Sequence, residues 1–292
     1  MNKEKTGYLF ALTDMVTYGL LPVFSHYFVV MINPLLFGGL TMIVGSIPLI
    51  IAMIKANTIK LLYRGDHLGK LAGFVGLTTL GSIFFFLGAK LTSGINTGLL
   101  TQIEPLYALA LAVLIMKEKT NLNQVASMTI MVVGAMVLSY RGFGKINLGD
   151  ILIVTAPLFF QISHLIAKQI NTQTNEPNLI PTARLLYGGI VLLSIALFIQ
   201  STAIFEVMTA QIIWSIIAFG LIFRTLDLWL WYQAIHRISP SKASALIPLA
   251  GLISFIGSLV ILREQPTIYH YIGLVLILVG ITWYSQLQIK PQ

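Results

Sequence analysis

Residues 93–118 read SGINTGLLTQIEPLYALALAVLIMKE, and residues 239–264 read SPSKASALIPLAGLISFIGSLVILRE. Both stretches are apolar over the length of a membrane helix, and both end in a basic residue followed by a glutamate, Glu118 or Glu264. Other pairs align at offsets of 142, 143 and 146 residues: Gly7 with Gly149, Pro34 with Pro177, Leu100 with Leu246 and Gly134 with Gly280. Matches at a nearly constant offset along the chain indicate a duplicated unit.

The chain contains ten apolar segments, five in each copy of the unit. Of its 292 residues, 57% are hydrophobic and 10% are charged, and about 20 apolar residues are enough to cross a bilayer. Because five is odd, the second copy must cross the membrane in the opposite sense to the first, as in many secondary transporters. We therefore predict an all-α integral membrane protein of one structural domain, with ten transmembrane helices arranged as two inverted five-helix repeats, residues 1–145 and 146–292. The predicted spans are 7–30, 34–54, 69–89, 94–116, 121–140, 149–170, 178–200, 209–235, 240–262 and 268–287.

The formal net charge is +8, and the positions of the cations decide what that charge means. With the N-terminus in the cytoplasm, twelve Lys and Arg residues fall on the cytoplasmic side of the predicted spans. Four fall on the other side, namely Lys90, Arg141, Lys145 and Arg263. This distribution follows the positive-inside rule, so we predict a multi-pass protein of the inner (cytoplasmic) cell membrane with both termini in the cytoplasm. The charge is then an orientation signal, and we expect no nucleic-acid partner.

Cofactor and enzyme chemistry find little support in the sequence. Cysteine is absent and the five histidines show no ligand spacing, so we expect no disulfide and no metal site. The sequence has no Gly-x-x-x-x-Gly-Lys-Ser/Thr loop for nucleotide binding. The linkers are too short for a soluble domain, so we predict no enzyme and no cofactor.

Few ionisable residues lie inside the predicted spans, and each costs about 2.5–3.5 kcal/mol there on insertion scales. Such residues face the bundle interior or a water-filled cavity and mark a pathway by default. Helix spacing places Asp14 with Tyr18, and Arg224 with Asp227, on shared faces. We expect these faces to meet around one cavity. The predicted substrate or proton pathway consists of Glu104, Asp227, His164, Asp14, Tyr18, Gln161, Arg224 and Trp231.

The two strongest candidates also have structural interpretations. Asp227 and Arg224 are three residues apart and can neutralise each other as an ion pair instead of contacting substrate. Glu104 has no cation one turn away on its own helix, and Pro105 removes a backbone donor beside it. These features favour a proton carrier for Glu104 over a hydrogen-bonded structural carboxyl.

The remaining candidates keep two interpretations each. His164 is a proton relay or substrate ligand, or a histidine satisfied by a neighbouring hydroxyl. Asp14 is a gate or an interfacial residue, and Arg184 is expected to extend to the cytoplasmic surface. Trp231 is favoured over Trp229 as an aromatic cavity wall because it lies one turn from Asp227. Two features concern packing only: Glu118 and Glu264 are expected to fix helix-to-helix turns, and the spacing of Gly69/Gly73 and Gly94/Gly98 permits close helix approach.

One part of the sequence resembles a known family. It resembles the pattern of the EamA-type ten-helix permeases of the drug/metabolite transporter (DMT) superfamily, and it consists of Glu104-Pro105, Leu106-Tyr107-Ala108-Leu109-Ala110, Glu118 and Gly134. The second half repeats the pattern as Leu262-Arg263-Glu264 with Gly273 and Gly280. The resemblance covers essentially the whole chain and implies movement of a small organic solute, often an amino acid or related metabolite, across the cytoplasmic membrane. Two positions depart from the pattern. Thr41 stands where the first half would echo Arg184, and Pro248 lies sixteen residues before Glu264, where the family spacing is thirteen.

These features predict a secondary transporter, a permease or exporter that works by alternating access, with a proton as candidate coupling ion. Asp14, Glu104 and Asp227 against two arginines give a formal charge of minus one, which favours a zwitterion or a cation over a polyanion, and an amino-acid-like metabolite is the preferred substrate. The alternative substrate is a nucleoside-bearing cation such as S-adenosylmethionine, taken up or exchanged. Alternatives from other classes are a membrane-embedded transferase acting on lipids and a passive channel. The expected partners are a small-molecule metabolite, the lipid bilayer and protons, and the protein is expected to be a monomer or homodimer.

Overall fold

The computed structural model describes residues 3–115, 117, 120–140, 147–200, 208–239, 242–243 and 245–289. Over these residues the chain is helical and contains no strand, which confirms the predicted all-α fold. The helices are α1 (Lys3–Met31), α2 (Pro34–Lys55), α3 (Leu68–Leu91), α4 (Gly94–Thr101), α5 (Glu104–Leu114), α6 (Leu122–Leu138), α7 (Leu148–Thr174), α8 (Leu179–Gln200), α9 (Ala210–Gly220), α10 (Asp227–Ile235), α11 (Ile247–Val260) and α12 (Ile268–Ile289). Glu118, Arg141 and Lys145 of the sequence analysis lie outside the described residues.

Eight helical stretches of the described chain are long and apolar enough to cross a membrane. Two of the eight are composite: α4 and α5 form one stretch, and α9 and α10 are joined by a π turn, Leu221–Leu226. The helices α6 and α11 are apolar but shorter, with 17 and 14 residues. They lie at the predicted fifth and ninth spans, so the count of ten spans and the inversion of the repeats stay predictions.

Side-chain caps explain why the helices follow one another with such short linkers. Asn33 accepts hydrogen bonds from the first free backbone N–H groups of α2, and Ser93 does the same for α4. Asn121 begins α6 with a reciprocal capping box to Gln124. Each cap satisfies backbone donors that neither lipid nor an apolar neighbour can satisfy.

The helices pack in pairs that join the first and second halves of the chain. The closest pairs are α3 with α7, α2 with α8, α6 with α12, and α1 with both α10 and α11. In the α2–α8 pair, a Cβ atom placed on Gly39 would lie 3.0 Å from the Gly189 carbonyl oxygen. Glycine therefore allows the two backbones to touch at this crossing.

The glycine spacing noted in the sequence has two outcomes. In α4, a Cβ on Gly98 would collide with Ser254 of α11, so the predicted close approach is confirmed. In α3, Gly69 has no atom within 4 Å of the same position, and Gly73 has only Ile166 at 3.9 Å. The prediction is wrong for α3. The glycine spacing creates a face on which another helix could pack closely, but no helix backbone packs on that face at Gly69 or Gly73.

Candidate functional site

A cavity of about 750 Å³ lies among α1, α3, α7, α8, the π turn and α10. It follows α7 down to Asn175, where α7 ends, and we call this end of the bundle the Asn175 end. The opposite end, where α4 begins beside Glu264, is called the Glu264 end. The cavity is lined by Tyr18, Leu21, Phe74, His164, Ala167, Lys168, Asn171, Thr172, Asn175, Ile180, Pro181, Arg184, Leu185, Phe223, Arg224, Asp227, Leu228 and Tyr232. Its volume is within the range of small-molecule sites, about 300–1,000 Å³.

Glu104 lies behind the cavity wall and is held by two donors. The chain turns at Gln102 and Ile103, so that Glu104 is the first residue of α5, with Pro105 after it. The Tyr18 hydroxyl donates to Glu104 Oε2 at 3.2 Å, and the Gln161 amide donates to Oε1 at 2.5 Å. One carboxylate thus connects α1, α5 and α7, and three residues predicted to share a site do so.

Asp227 lies on the cavity wall and contacts Thr17 of α1, with 2.7 Å between Asp227 Oδ1 and the Thr17 hydroxyl oxygen. The same hydroxyl lies 2.9 Å from the Asp14 carbonyl oxygen. The sequence analysis missed Thr17. A threonine inside a helix usually bonds its own backbone, so the sequence holds no signal for a second contact across the bundle.

The π turn sets the position of Arg224. In a regular α-helix, Arg224 and Asp227 would share a face, but the π turn bonds residue i to residue i+5 and changes that register. The two side chains form no ion pair within 4 Å, and the ion pairs of the described residues are elsewhere. The Arg224 guanidinium instead lies over the rings of Phe86 and Phe219, at 5.3 and 5.6 Å.

Arg184 also lies on the cavity wall rather than at the surface. Its guanidinium carbon is 4.6 Å from the centre of the Phe160 ring, a cation–π contact. We expected this side chain to extend to the cytoplasmic surface. The structure places the guanidinium inside the bundle instead, on the cavity wall and against the face of Phe160.

The predicted pathway residues divide into three groups. Tyr18, His164, Arg224 and Asp227 line the cavity, and Glu104 and Gln161 lie behind Tyr18. Asp14 is only 3% exposed and does not line the cavity. Trp231 packs on the cluster of Ala11, Ala234, Ile238 and Ala243, while Tyr232 beside it takes a place on the wall. Lys168, part of the polar face of α7, joins the lining.

Aromatic rings close the cavity toward the Glu264 end. The phenylalanine plug, as we name it, consists of Phe24, Phe28, Phe37, Phe86, Phe219 and Phe223. Phe37 and Phe219 are 4.9 Å apart between ring centres, and so are Phe219 and Phe223. Because Phe223 lines the cavity and Phe37 is fully buried, the plug separates the cavity from the Glu264 end.

Beyond the plug, Glu264 caps α4. Its two carboxylate oxygens accept the backbone N–H groups of Gly94 at 2.6 Å and Ile95 at 2.9 Å. A carboxylate is favourable at the positive N-terminus of a helix. His26 Nε2 lies 3.7 Å from Glu264 Oε1, and His26 Nδ1 donates to the Ala89 carbonyl oxygen at 2.7 Å. The predicted role of Glu264 in a helix-to-helix turn extends to holding α1, α3 and α4 together.

A second polar cluster lies at the same end. Asp150, in the first turn of α7, accepts hydrogen bonds from the Thr92 hydroxyl and from the Asn96 amide, the latter at 2.9 Å. It therefore joins the end of α3 to the starts of α4 and α7. The part of the chain that the structure describes has no group of three His, Asp or Glu side chains placed to hold a metal ion.

Known proteins similar to this chain match it over nearly its whole length. An uncharacterized transporter of Methanothermobacter thermautotrophicus is 25% identical over 94% of this chain and 84% of that protein. The uncharacterized transporter YetK of Bacillus subtilis is 24% identical over 96% of this chain and 87% of that protein. One solved structure, described as the crystal structure of a protein, has a TM-score of 0.67 at 17% identity, covering 97% of this chain and 99% of that one, and this likeness concerns the fold alone.

The family assignment rests on matches to both halves of the sequence. The model of the EamA-like transporter family matches residues 5–140 and 147–286. These matches cover the entire cavity lining and both carboxylates, Glu104 and Asp227. The chain therefore belongs to the EamA-like transporter family, within the DMT superfamily.

Proposed function

We propose that this protein is a secondary transporter that moves a small organic metabolite, an amino acid or related compound, across the cytoplasmic membrane by alternating access. The observation that carries the proposal is the one-sided cavity. It reaches Tyr18 and Asp227 from the Asn175 end, and the phenylalanine plug closes it toward the Glu264 end. A continuous open pore, as in a channel, would need a path past the plug.

The proposal includes ten spans in two inverted repeats. Its support is the symmetry of the helix pairs. If each predicted span is exchanged with the one five places along, α2 with α8 and α6 with α12 map onto themselves. The same exchange turns the pair of α3 and α7 into a pair of α1 and α9–α10, and α1 does pack on α10. It turns the pair of α1 and α11 into a pair of α7 and α4–α5, and these helices are also in contact. With the cations counted as above, the Asn175 end faces the cytoplasm.

A proton is the coupling ion that we favour, and Asp227 is its site. The Thr17 hydroxyl has one proton, yet it lies within hydrogen-bond distance of both the Asp14 carbonyl oxygen and Asp227 Oδ1. Both contacts are hydrogen bonds at once if Thr17 donates to the carbonyl and a protonated Asp227 donates to Thr17. Glu104 already accepts two donors, which suits an ionised carboxylate.

Reconstitution into liposomes tests the proposal. We would load vesicles with a panel of unlabelled amino acids and other metabolites and measure counterflow of the labelled compounds, with and without an imposed proton gradient. We expect saturable exchange of at least one solute, a loss of exchange in Glu104→Gln, and a loss of the proton-gradient effect in Asp227→Asn. Asp66→Asn, at an exposed position outside the spans, is the matched control. No solute movement under any gradient would contradict the proposal, and so would flux that never saturates.

A further inference from the structure

Three cationic side chains and one carboxylate face the cavity. The cations are Lys168, Arg184 and Arg224, and the carboxylate is Asp227. The charge count in the sequence analysis is negative because it includes Asp14 and Glu104 and leaves out Lys168. The first does not line the cavity, and the second lies behind Tyr18 with both oxygens occupied.

Neither arginine forms an ion pair within 4 Å in the described part of the chain, and Glu104 attracts Arg184, and Asp227 attracts Arg224, only at a longer distance. Among the described residues, the ion pairs are His26 with Glu264 and Lys242 with Glu4. Arg224 Nε is buried without a hydrogen-bond partner in the part of the chain that is described. A guanidinium inside a membrane protein is costly unless an anion or a set of acceptors satisfies it.

Aromatic rings hold both guanidinium groups in place. Arg184 lies over Phe160 at 4.6 Å, and Arg224 lies over Phe86 at 5.3 Å and Phe219 at 5.6 Å. A ring fixes a guanidinium through its face and leaves N–H groups at its edge able to bind a carboxylate through two hydrogen bonds. The two arginines project from different elements, α8 and the π turn, so they offer two binding points rather than one cluster.

From this geometry we infer that the cavity selects small organic compounds with two carboxylates, which we call diacids, and that the two carboxylates pair with Arg184 and Arg224. The inference rests on the proposed transport function. The substrate is an acidic α-amino acid or a dicarboxylate of similar size, and Asp227 distinguishes the two. When Asp227 has released its proton, its carboxylate binds the ammonium group of an amino acid, whereas a dicarboxylate has no group that an ionised Asp227 could bind. A cation such as S-adenosylmethionine would meet three like charges and one opposite charge.

The test measures binding as well as transport, so that the two proposals fail separately. We would measure the thermal midpoint and the apparent Kd of the purified protein with L-glutamate, succinate, L-glutamine, L-lysine, S-adenosylmethionine and glycerol 3-phosphate. We expect L-glutamate or succinate to bind at least about tenfold more tightly than L-glutamine, which lacks the second carboxylate. Counterflow with the same compounds is expected to show the same order.

Variants assign the effect to the arginines. Arg184→Gln and Arg224→Gln are each expected to weaken the binding of L-glutamate or succinate at least about tenfold. Arg224→Lys, which keeps the charge but loses the planar fork, is expected to give an intermediate loss. Arg237→Gln is the matched control, because Arg237 also lies over a ring, Phe10 at 4.8 Å, but outside the cavity lining. Size-exclusion profiles of each variant report whether it folds.

Each outcome decides between the alternatives. Weaker L-glutamate binding but unchanged succinate binding in Asp227→Asn identifies an acidic amino acid, and no loss with either identifies a dicarboxylate. The inference is overturned if neither L-glutamate nor succinate binds, if L-glutamine, a cation or glycerol 3-phosphate binds more tightly, or if Arg237→Gln is as damaging as the cavity variants. Transport of a neutral amino acid without competition from either diacid would overturn the inference and leave the proposed function standing. Diacid binding that depends on the arginines, without any counterflow, would support the inference and contradict the proposed function.

Discussion

Replacing Glu264 with glutamine is expected to loosen the closed Glu264 end. Each Glu264 oxygen accepts one backbone N–H of α4, from Gly94 at 2.6 Å and from Ile95 at 2.9 Å. Hydrogen bonds to a charged group contribute about 1.5–3 kcal/mol each, and neutral ones about 0.5–1.5 kcal/mol. Glutamine keeps one acceptor oxygen and turns an amide NH2 toward the other N–H.

Because the Glu264 side chain is 19% exposed, we take about 1.5 kcal/mol for each charged hydrogen bond and about 1 kcal/mol for the neutral one. Losing two charged hydrogen bonds and keeping one neutral one then costs the closed end about 2 kcal/mol. Glu264 follows α11 and holds α4 of the other half, so opening this end separates the partners. A change of about 2 kcal/mol raises the open population about 30-fold.

Cysteine labelling measures that population without background, because the chain has no cysteine. Ser25 is fully buried on α1, one turn beyond the cavity residue Leu21 and toward the Glu264 end. We expect a hydrophilic maleimide to modify Ser25→Cys slowly, and up to about 30-fold faster when Glu264→Gln is added. Asn171→Cys, exposed on the cavity wall, shows that the reagent reaches the protein.

The matched control is Glu176→Gln at the Asn175 end. Glu176 is also buried and also accepts a backbone N–H, from Asn178 at 3.0 Å. If Glu264→Gln left the labelling rate of Ser25→Cys unchanged, the cap would not contribute to closure. If Glu176→Gln raised the rate equally, the effect would be general destabilisation, and the reasoning would be refuted.

Three further substitutions test the clamp, the plug and a helix crossing. Tyr18→Phe removes the donor to Glu104 and is expected to slow counterflow about tenfold at an unchanged melting temperature; equal rates would show that Glu104 does not need this donor. Phe219→Ala empties the centre of the plug and is expected to lower the free energy of unfolding by about 3–5 kcal/mol, as measured by denaturation in mild detergent. Gly189→Val would place its Cβ 2.9 Å from the Gly39 carbonyl oxygen, so it is expected to lower the melting temperature strongly, and a stable variant would show that α2 and α8 can separate cheaply.

The sequence predicts which polar residues enter the bundle far better than what they contact there. Membrane insertion penalises every polar side chain that faces lipid, so Glu104, Asp227 and His164 had to face the interior. Helix periodicity then placed Tyr18 on the face that meets Glu104, and Gln161 on the face of α7 that does so too. These residues needed only an α-helix and a cost for burial, and both can be read from the sequence.

The misplaced residues depend on features that periodicity does not contain. The π turn changes the register between Arg224 and Asp227, and the residue types in Leu221–Leu226 do not predict a π turn. Position near the end of a predicted span indicates a surface location for Arg184. Its actual surroundings are the cavity wall and the Phe160 ring of α7, and these arise only when the helices assemble.

Arg224 is where binding and closure meet in this structure. On one side it lines the cavity, and on the other it lies over Phe86 and Phe219 of the plug. A cation over a ring gains more when it is desolvated and has no other partner, so an anion that pairs with Arg224 weakens its hold on the plug. Alternating access requires a substrate that interacts differently with the two states, because a ligand with equal affinity for both shifts nothing. A single side chain shared by the cavity and the plug supplies such a difference, and the π turn is the local departure from α-helix that places it there.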